Sequence, residues 1–173
     1  MEQFYKRQYC LLTWLVMLII PIGGCSVYSF TGASIPPEAE TVTIQYFPNK
    51  SSLVNPNLSQ ELTNALKDRF QSQTSLSLTD TGGDLYFEGE IVDYKTKPVA
   101  IQGNDQAAMN RLTITVNVKF VNRFQEKMNY ETTFSRYEDY SSSTSLSTVE
   151  DQLVEQIVEY LVDDIFNKSV VNW

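Results

Sequence analysis

The 173-residue chain contains no histidine, and its only cysteines are Cys10 and Cys25. The missing histidine removes the commonest general base of enzymes and the commonest metal ligand. Cys10 lies within an apolar stretch near the amino terminus. The rest of the chain has a single cysteine, Cys25, and therefore cannot form a disulfide within itself. The sequence therefore predicts a fold held by its apolar core. It predicts no cofactor, no metal site and no catalytic residue.

Basic residues are also scarce. The chain has 13 lysines and arginines against 21 aspartates and glutamates, a net charge of −8. Nucleic-acid binders obtain affinity from cations that neutralise phosphates, so this balance argues against a nucleic-acid partner. Any anionic ligand would have to meet a local patch of positive charge. The length is sufficient for one domain with one sizeable core.

Long apolar runs are limited to residues 11–22, which follow two basic residues and precede Gly23, Gly24 and Cys25. A helix that spans a membrane needs roughly 18 to 20 apolar residues, and this run is shorter. A short apolar run after a positive segment and before small residues is typical of a signal peptide.

Ile22, Gly23, Gly24 and Cys25 resemble the bacterial lipobox, in which a branched aliphatic residue and two small residues precede an invariant cysteine. The resemblance implies cleavage before Cys25 and acylation of its thiol. Several acyl chains anchor a protein stably, because each buried methylene contributes about 0.8 kcal/mol. Ser26 is not the aspartate that retains many enteric lipoproteins in the inner membrane, so we expect the outer membrane and a periplasm-facing domain. The alternative is an ordinary secretory signal that ends near a cysteine.

These features divide the chain into a signal peptide (1–24), a lipidated tether (25–40) and a folded domain (41–173). Two adjacent prolines at 36 and 37 prevent regular structure in the tether. Without its first 24 residues the chain keeps eleven basic and twenty acidic side chains, so the mature protein is more acidic still, near −9.

Hydrophobic periodicity gives the elements of the domain. Strands are predicted over 41–47, 84–95, 111–120 and 128–137, and helices over 56–70 and 147–167, with room for a short strand at 76–78. Asn55 is predicted to cap the first helix, and Ser147 with Glu150 to form a capping box on the second. Residues 96–108 and 138–145 are predicted loops. Gly89 lies on the predicted core face, where a helix could approach closely.

The order β-α-β-β-β-α predicts an α+β fold. We expect a two-layer sandwich in which one sheet of about four strands carries both helices on its apolar face. Such a sheet leaves a polar face and two edges open to partners.

Short motifs follow the lipobox in order along nearly the whole mature chain. They are YSFTG (28–32), IPP (35–37), TIQYFPN (43–49), the helix over 58–70, GEIVDY (89–94), NRLTITV (110–116) and DIF (164–166). Each motif alone is weak, but their order and spacing resemble those of the lipopolysaccharide-assembly lipoprotein family LptE, in its Bacteroidetes form.

The resemblance implies a non-enzymatic outer-membrane lipoprotein that seats inside an LptD-like β-barrel and helps deliver lipopolysaccharide to the outer leaflet. The implied partners are that barrel, lipopolysaccharide, and the membrane through acylated Cys25. The alternative is an envelope lipoprotein that binds glycan or another envelope protein. A hydrolase built on Glu88 and Glu90 is disfavoured, because both are expected on a solvent-facing strand.

Lys95, Lys97 and Arg111 flank the predicted loop over 96–108. Long loops in compact domains tend to be functional or mobile. We therefore regard these three residues as candidate contacts for lipid phosphates, sugar or the barrel wall. The alternative is that they are solvated charges beside the end of a strand.

Overall fold

A computed structural model describes residues 35–53, 55–99 and 109–171. The predicted signal peptide, the lipobox with Cys25 and most of the tether lie outside these residues. The strands are β1 (Thr41–Ile44), β2 (Ser77–Leu78), β3 (Leu85–Val99), β4 (Met109–Asn122) and β5 (Tyr130–Ser141). The helices are α1 (Leu58–Gln73) and α2 (Leu146–Val170), with a short 3-10 turn at Glu126–Met128. Within the described residues, no helix has both the length and the apolar character to cross a membrane.

The strands form one sheet in the order β2-β1-β3-β4-β5. β1 runs parallel to both β2 and β3, whereas β3, β4 and β5 form an antiparallel meander. The predicted α+β fold is confirmed. The sheet has five strands instead of about four, because the two residues of β2 pair with the start of β1.

The core lies between the apolar face of the sheet and the two helices. Phe87 is fully buried at its centre, with ring centroids 4.9 Å from Phe70 on α1 and 4.7 Å from Phe120 on β4. The two helices run parallel to each other. Glu61 on α1 lies across a groove from Glu155 on α2, and eight residues farther along both helices Arg69 pairs with Asp163.

The predicted loops are shorter than expected. β3 continues to Val99 and β4 begins at Met109, so residues 96–99 are strand. The remaining 100–108 lie outside the described residues. β5 likewise continues to Ser141, into the predicted loop over 138–145. Alternation failed as a guide here because inward positions such as Thr96, Pro98 and Asn110 are not fully buried and need no apolar side chain.

The helix starts also differ from prediction. α1 begins at Leu58, but Asn55 still caps it, because its Oδ1 accepts hydrogen bonds from the backbone N–H of Asn57 (2.9 Å) and Leu58 (3.2 Å). The capping box on α2 is wrong. The helix begins at Leu146 without a side-chain cap, and the Glu150 carboxylate instead accepts hydrogen bonds from Asn55 Nδ2 (3.0 Å) and the Tyr94 hydroxyl. Tertiary partners have replaced the local one.

Gly89 does provide a close approach, but to a ring and not to a helix. A Cβ atom there would lie 2.5 Å from Cε1 of Phe47, and it would also collide with the carbonyl oxygen of Asn117. Phe47 is fully buried. The loop after β1 therefore closes over the sheet because this strand position lacks a side chain.

Candidate functional site

The three predicted cations lie on the face of the sheet opposite the helices. Lys97 on β3 is directly across from Arg111 on β4, and Lys95 is across from Thr113. Residues directly opposite in an antiparallel pair point to the same side, so all three share this outer face. We call Lys95, Lys97 and Arg111 the outer-face cation cluster.

A β-bulge places the two lysines there. Up to Ile91, the odd-numbered residues of β3 face the helices, and the register then shifts between Ile91 and Asp93, leaving Val92 without a partner on β4. Beyond the shift, Tyr94 is buried and Lys97 is exposed. One extra residue reverses the facing of everything after it. Without the bulge, Lys95 and Lys97 would point at the helix layer.

Arg111 is held rigidly. Its Nε and Nη2 donate to the two carboxylate oxygens of Asp139 at 2.7 and 2.8 Å, and its guanidinium lies 3.6 Å from the centre of the Tyr137 ring. The hydrogen bonds to Asp139 raise the pKa of Arg111, and they lower the pKa of Asp139. A fork fixed on two sides loses little freedom when its remaining N–H groups bind an anion.

The lysines differ from Arg111 and from each other. Lys95 forms an ion pair with Asp93 on the same strand. Lys97 is exposed, and no ion pair joins it to any residue in the described ranges. Among the described residues, the three cations and their two carboxylate partners leave one net positive charge. The cluster is therefore suited to a single anionic group, such as one phosphate, and not to a long polyanion.

Sequence reasoning missed Tyr137 and Asp139, which hold Arg111 in place. The prediction ended the last strand at Tyr137, so Asp139 was assigned to a loop. A usable signal existed in the hairpin: pairing Phe120 with Tyr130 fixes a register that brings Asp139 opposite Arg111. A cation opposite a carboxylate supports that register.

A second concave surface lies between the helices. A groove of about 690 Å³ runs between α1 and α2. It is lined by Glu61, Asn64, Ala65, Asp68, Arg69, Ser72, Glu155, Val158, Glu159 and Val162. Burial, followed by the nearby carboxylates of Glu155 and Asp151, raises the pKa of Glu61. Arg69, the only cation among these lining residues, is paired with Asp163, so the groove is acidic and repels anions.

A smaller pocket of about 340 Å³ adjoins the cation cluster at the β5 edge. It is lined by Ser135, Arg136, Tyr137, Glu138, Asp139 and Tyr160. Arg136 is held by the two carboxylate oxygens of Asp164, both at 2.6 Å. Because Tyr137 and Asp139 belong both to this pocket and to the surroundings of Arg111, a ligand on the outer face could extend around the edge of the sheet.

Glu88, one of the two carboxylates considered for hydrolysis, lies in an ion pair on the surface of the sheet. Glu88 accepts hydrogen bonds from Lys119 Nζ (2.6 Å) and the Tyr86 hydroxyl (3.3 Å), and the bond from Lys119 lowers the pKa of Glu88. A general acid of a glycosidase requires the opposite, a raised pKa. No group of three or more acidic side chains in the described part of the chain is arranged to hold a metal ion.

Comparison with known proteins gives one family and one fold. The family model LptE, described as lipopolysaccharide-assembly, matches residues 39–169. No curated protein matches the chain. A hypothetical protein from Chlamydia trachomatis has a similar structure, with a TM-score of 0.52 and 10% identity over 78% of this chain and 99% of that one.

Two further solved structures are less similar. A minor lipoprotein from Acinetobacter baumannii has a TM-score of 0.47 and 15% identity, covering 71% of this chain and 91% of that one. The rare lipoprotein B from Shewanella oneidensis has a TM-score of 0.43 and 12% identity, covering 73% and 93%. At such identities a structural likeness speaks to the fold alone.

Proposed function

The chain belongs to the LptE family of lipopolysaccharide-assembly lipoproteins, and from this membership we propose that it is the subunit that seats in an LptD-like outer-membrane β-barrel. The family match carries the proposal, because residues 39–169 include every strand of the sheet and nearly all of both helices. In this role the domain catalyses no reaction. It supports the barrel and helps pass lipopolysaccharide to the outer leaflet.

Acylated Cys25 anchors the domain at the periplasmic side of the outer membrane. The sequence Ile22-Gly23-Gly24-Cys25 supports this anchor through its resemblance to the lipobox. Lipid attachment would bring the domain close to the mouth of a barrel in the same membrane. Mass spectrometry of the native protein tests the anchor: we expect a chain that begins at an acylated Cys25, and an unmodified thiol would disprove it.

The outer-face cation cluster contacts lipopolysaccharide phosphate. Lys97 supplies a positive charge that no described residue neutralises, and Arg111 supplies a fixed donor fork. The acidic groove between the helices disfavours the same ligand on the opposite side of the domain. An anionic lipid is therefore directed to the sheet face.

Co-purification from detergent-solubilised outer membranes tests the role as a whole. We expect the affinity-tagged, acylated protein to bring down an LptD-like barrel in near-equal amount. A folded, acylated protein that recovers no barrel would contradict the proposal and would favour a glycan- or protein-binding lipoprotein.

The ligand face has its own test. Replacing Lys95, Lys97 and Arg111 together by alanine should weaken lipopolysaccharide binding to the domain. The matched control replaces Lys50, Lys67 and Lys168, which removes the same charge from parts of the surface away from the outer face of the sheet. Equal binding by the two triple variants would exclude the cluster as the contact.

A further inference from the structure

The groove between the two helices has an apolar floor and acidic rims. Val158 and Val162 of α2 form the floor, with only 3% and 2% of their surfaces exposed. The rims include exposed carboxylates from both helices, namely Asp68 of α1 and Glu155 and Glu159 of α2. Such a groove can bury the apolar stem of a lysine or arginine side chain and bind its charged head at the rim.

The charge of the groove is not balanced within the described part of the domain. Arg69 is the one cation among the lining residues, and Asp163 neutralises it. The lining carboxylates form no ion pair with any described residue; they are Glu61, Asp68, Glu155 and Glu159. Once the pair of Arg69 and Asp163 is set aside, the groove keeps four negative charges.

Glu61 shows that this concentration of charge is unfavourable in the free domain. Burial raises the pKa of Glu61, and the carboxylates of Glu155 and Asp151 raise it further. The fold therefore disfavours the charged form of this side chain. A cation in the groove would remove part of that penalty, because it attracts all of these carboxylates. Carboxyl groups perturbed in this way within a cleft are typical of binding sites.

We propose that the groove receives a cationic segment of the barrel wall. Lysine or arginine side chains that point into the barrel lumen lie along the apolar floor and pair with the carboxylates of the rims. This inference rests on the proposed function, because it requires a barrel around the domain. It assigns the helix layer to the barrel and leaves the outer face of the sheet to lipopolysaccharide.

A strand of a membrane barrel has the spacing that the groove requires. Its side chains alternate between the lipid and the lumen, and those that face the lumen are polar. Successive lumen-facing residues are two positions apart, which is about 7 Å. Glu155 and Glu159 are four positions apart on α2, which is about 6 Å along the helix axis. Two basic residues separated by one position on a barrel strand would therefore each meet one carboxylate.

The two-layer fold keeps the two partners apart. The outer-face cation cluster lies on the side of the sheet that faces away from the helices, whereas the groove lies between the helices. The groove repels the phosphates of lipopolysaccharide, and the cation cluster repels basic side chains of the barrel. The separation of charge therefore favours one orientation of the domain in the lumen.

Charge reversal tests this docking surface. Glu155→Lys and Glu159→Lys are introduced together into the full-length, affinity-tagged chain, which is then purified from detergent-solubilised outer membranes. We expect this groove variant to recover several-fold less barrel than the wild type, because each new lysine repels a barrel cation. The matched control, Glu38→Lys with Glu126→Lys, makes the same change of charge at exposed positions outside the groove and should recover the barrel normally.

The stability of the purified chains separates lost docking from lost folding. The two new lysines would face Glu61 and Asp68, so they replace like-charge repulsion by attraction. We therefore expect the urea midpoint of the groove variant to be no lower than that of the wild type. A lower midpoint would contradict the charge crowding on which the inference depends.

A photo-reactive side chain at position 64 tests contact directly. Asn64 is exposed and lines the groove. Irradiation of cells that carry this variant should link it to the barrel, and mass spectrometry should place the link beside a lysine or arginine that faces the lumen.

Three results would overturn the inference. Equal recovery of the barrel by the groove variant and its control would do so and would leave the proposed function intact. Reduced recovery without a link from position 64 to the barrel would show that the loss is indirect, and a link to a different protein would identify another occupant. If the wild-type chain itself recovered no barrel, the proposed function would fail together with the docking surface.

Discussion

The two faces of the β3-β4-β5 sheet come from the same three strands but follow different rules. The inner face carries fully buried apolar residues such as Phe87, Ile114 and Val116. The outer face carries ion pairs and hydroxyl groups, such as Lys119 with Glu88 and Thr115 with Ser135. Burial of apolar area dominates stability, whereas exposed ion pairs contribute little. The inner face therefore maintains the fold, whereas side chains on the outer face can be replaced at little cost in stability.

The strongest test of this contrast is Phe87→Ala. It would leave a cavity among Phe70 and Phe120, so we expect a loss of about 3–5 kcal/mol in the free energy of unfolding. Urea denaturation followed by circular dichroism measures it. Phe124→Ala, the same change at an exposed ring, should cost less than about 0.5 kcal/mol. Similar losses at the two sites would break the contrast.

Tyr94→Phe tests a polar group within the inner face. The Tyr94 side chain is buried, and burial and the hydrogen bond to Glu150 raise its pKa far above the usual range. Because hydrogen bonds to charged groups contribute about 1.5–3 kcal/mol, removing this hydroxyl should lower the free energy of unfolding by that order. Tyr46→Phe is the exposed control. No loss relative to the control would mean that Glu150 is satisfied without Tyr94.

Asp84 makes the stability depend on pH. Hydrogen bonds, first from the Thr41 hydroxyl and then from the Glu40 N–H, lower the pKa of Asp84 in the folded state below the unfolded value of about 3.9. The stabilisation is therefore complete above that value and is lost as the pH falls through the folded pKa. Asp84→Asn should lower the urea midpoint at pH 7 by an amount equivalent to about 1–2 kcal/mol and flatten its fall below pH 4.

Asp80→Asn is the control for that change, because Asp80 is exposed and lies in the same connection between β2 and β3. It should change neither the urea midpoint at pH 7 nor the fall of that midpoint below pH 4. If the midpoint of Asp84→Asn fell below pH 4 as steeply as that of the wild type, other carboxylates would control the loss of stability in acid.

Apart from the control substitutions, the smallest expected effect on stability is that of Arg111→Lys on the outer face. Lysine cannot reproduce the two bonds to Asp139 or the stacking on Tyr137, yet the pair is partly exposed, so the unfolding free energy should change by less than about 1 kcal/mol. The substitution should weaken lipopolysaccharide binding by more free energy than it removes from the stability of the fold. Arg69→Lys on the helix side should leave binding unchanged. Equal binding by the two variants would remove the reason for assigning the ligand to the sheet.

The regular parts of the fold were predictable from sequence because one face of each is buried. Leu112, Ile114, Val116, Val118 and Phe120 alternate without a break, and the structure buries all five. The helix over 56–70 was recognised from its apolar period, although α1 begins two residues later and ends three later. Where burial decides the pattern, local sequence is sufficient.

The site was only partly predictable, since its geometry depends on pairing. The sequence identified Lys95, Lys97 and Arg111 as neighbours of one loop, but the bulge at Val92 decides which face the lysines occupy. Asp139 holds Arg111 because the hairpin of β4 and β5 continues beyond its predicted end. Strand alternation carries no information about a single extra residue or about the partner across the sheet.

The bonds at Asp84 also bear on how the domain withstands pulling. A force applied through the tether reaches the sheet at Thr41, at the start of a strand that lies between β2 and β3. Tension along β1 loads its hydrogen bonds to both neighbours in shear, so they must yield together instead of one at a time. β1, a short but well-buried strand, thereby lies where a force from a lipid anchor would be shared between its two neighbouring strands.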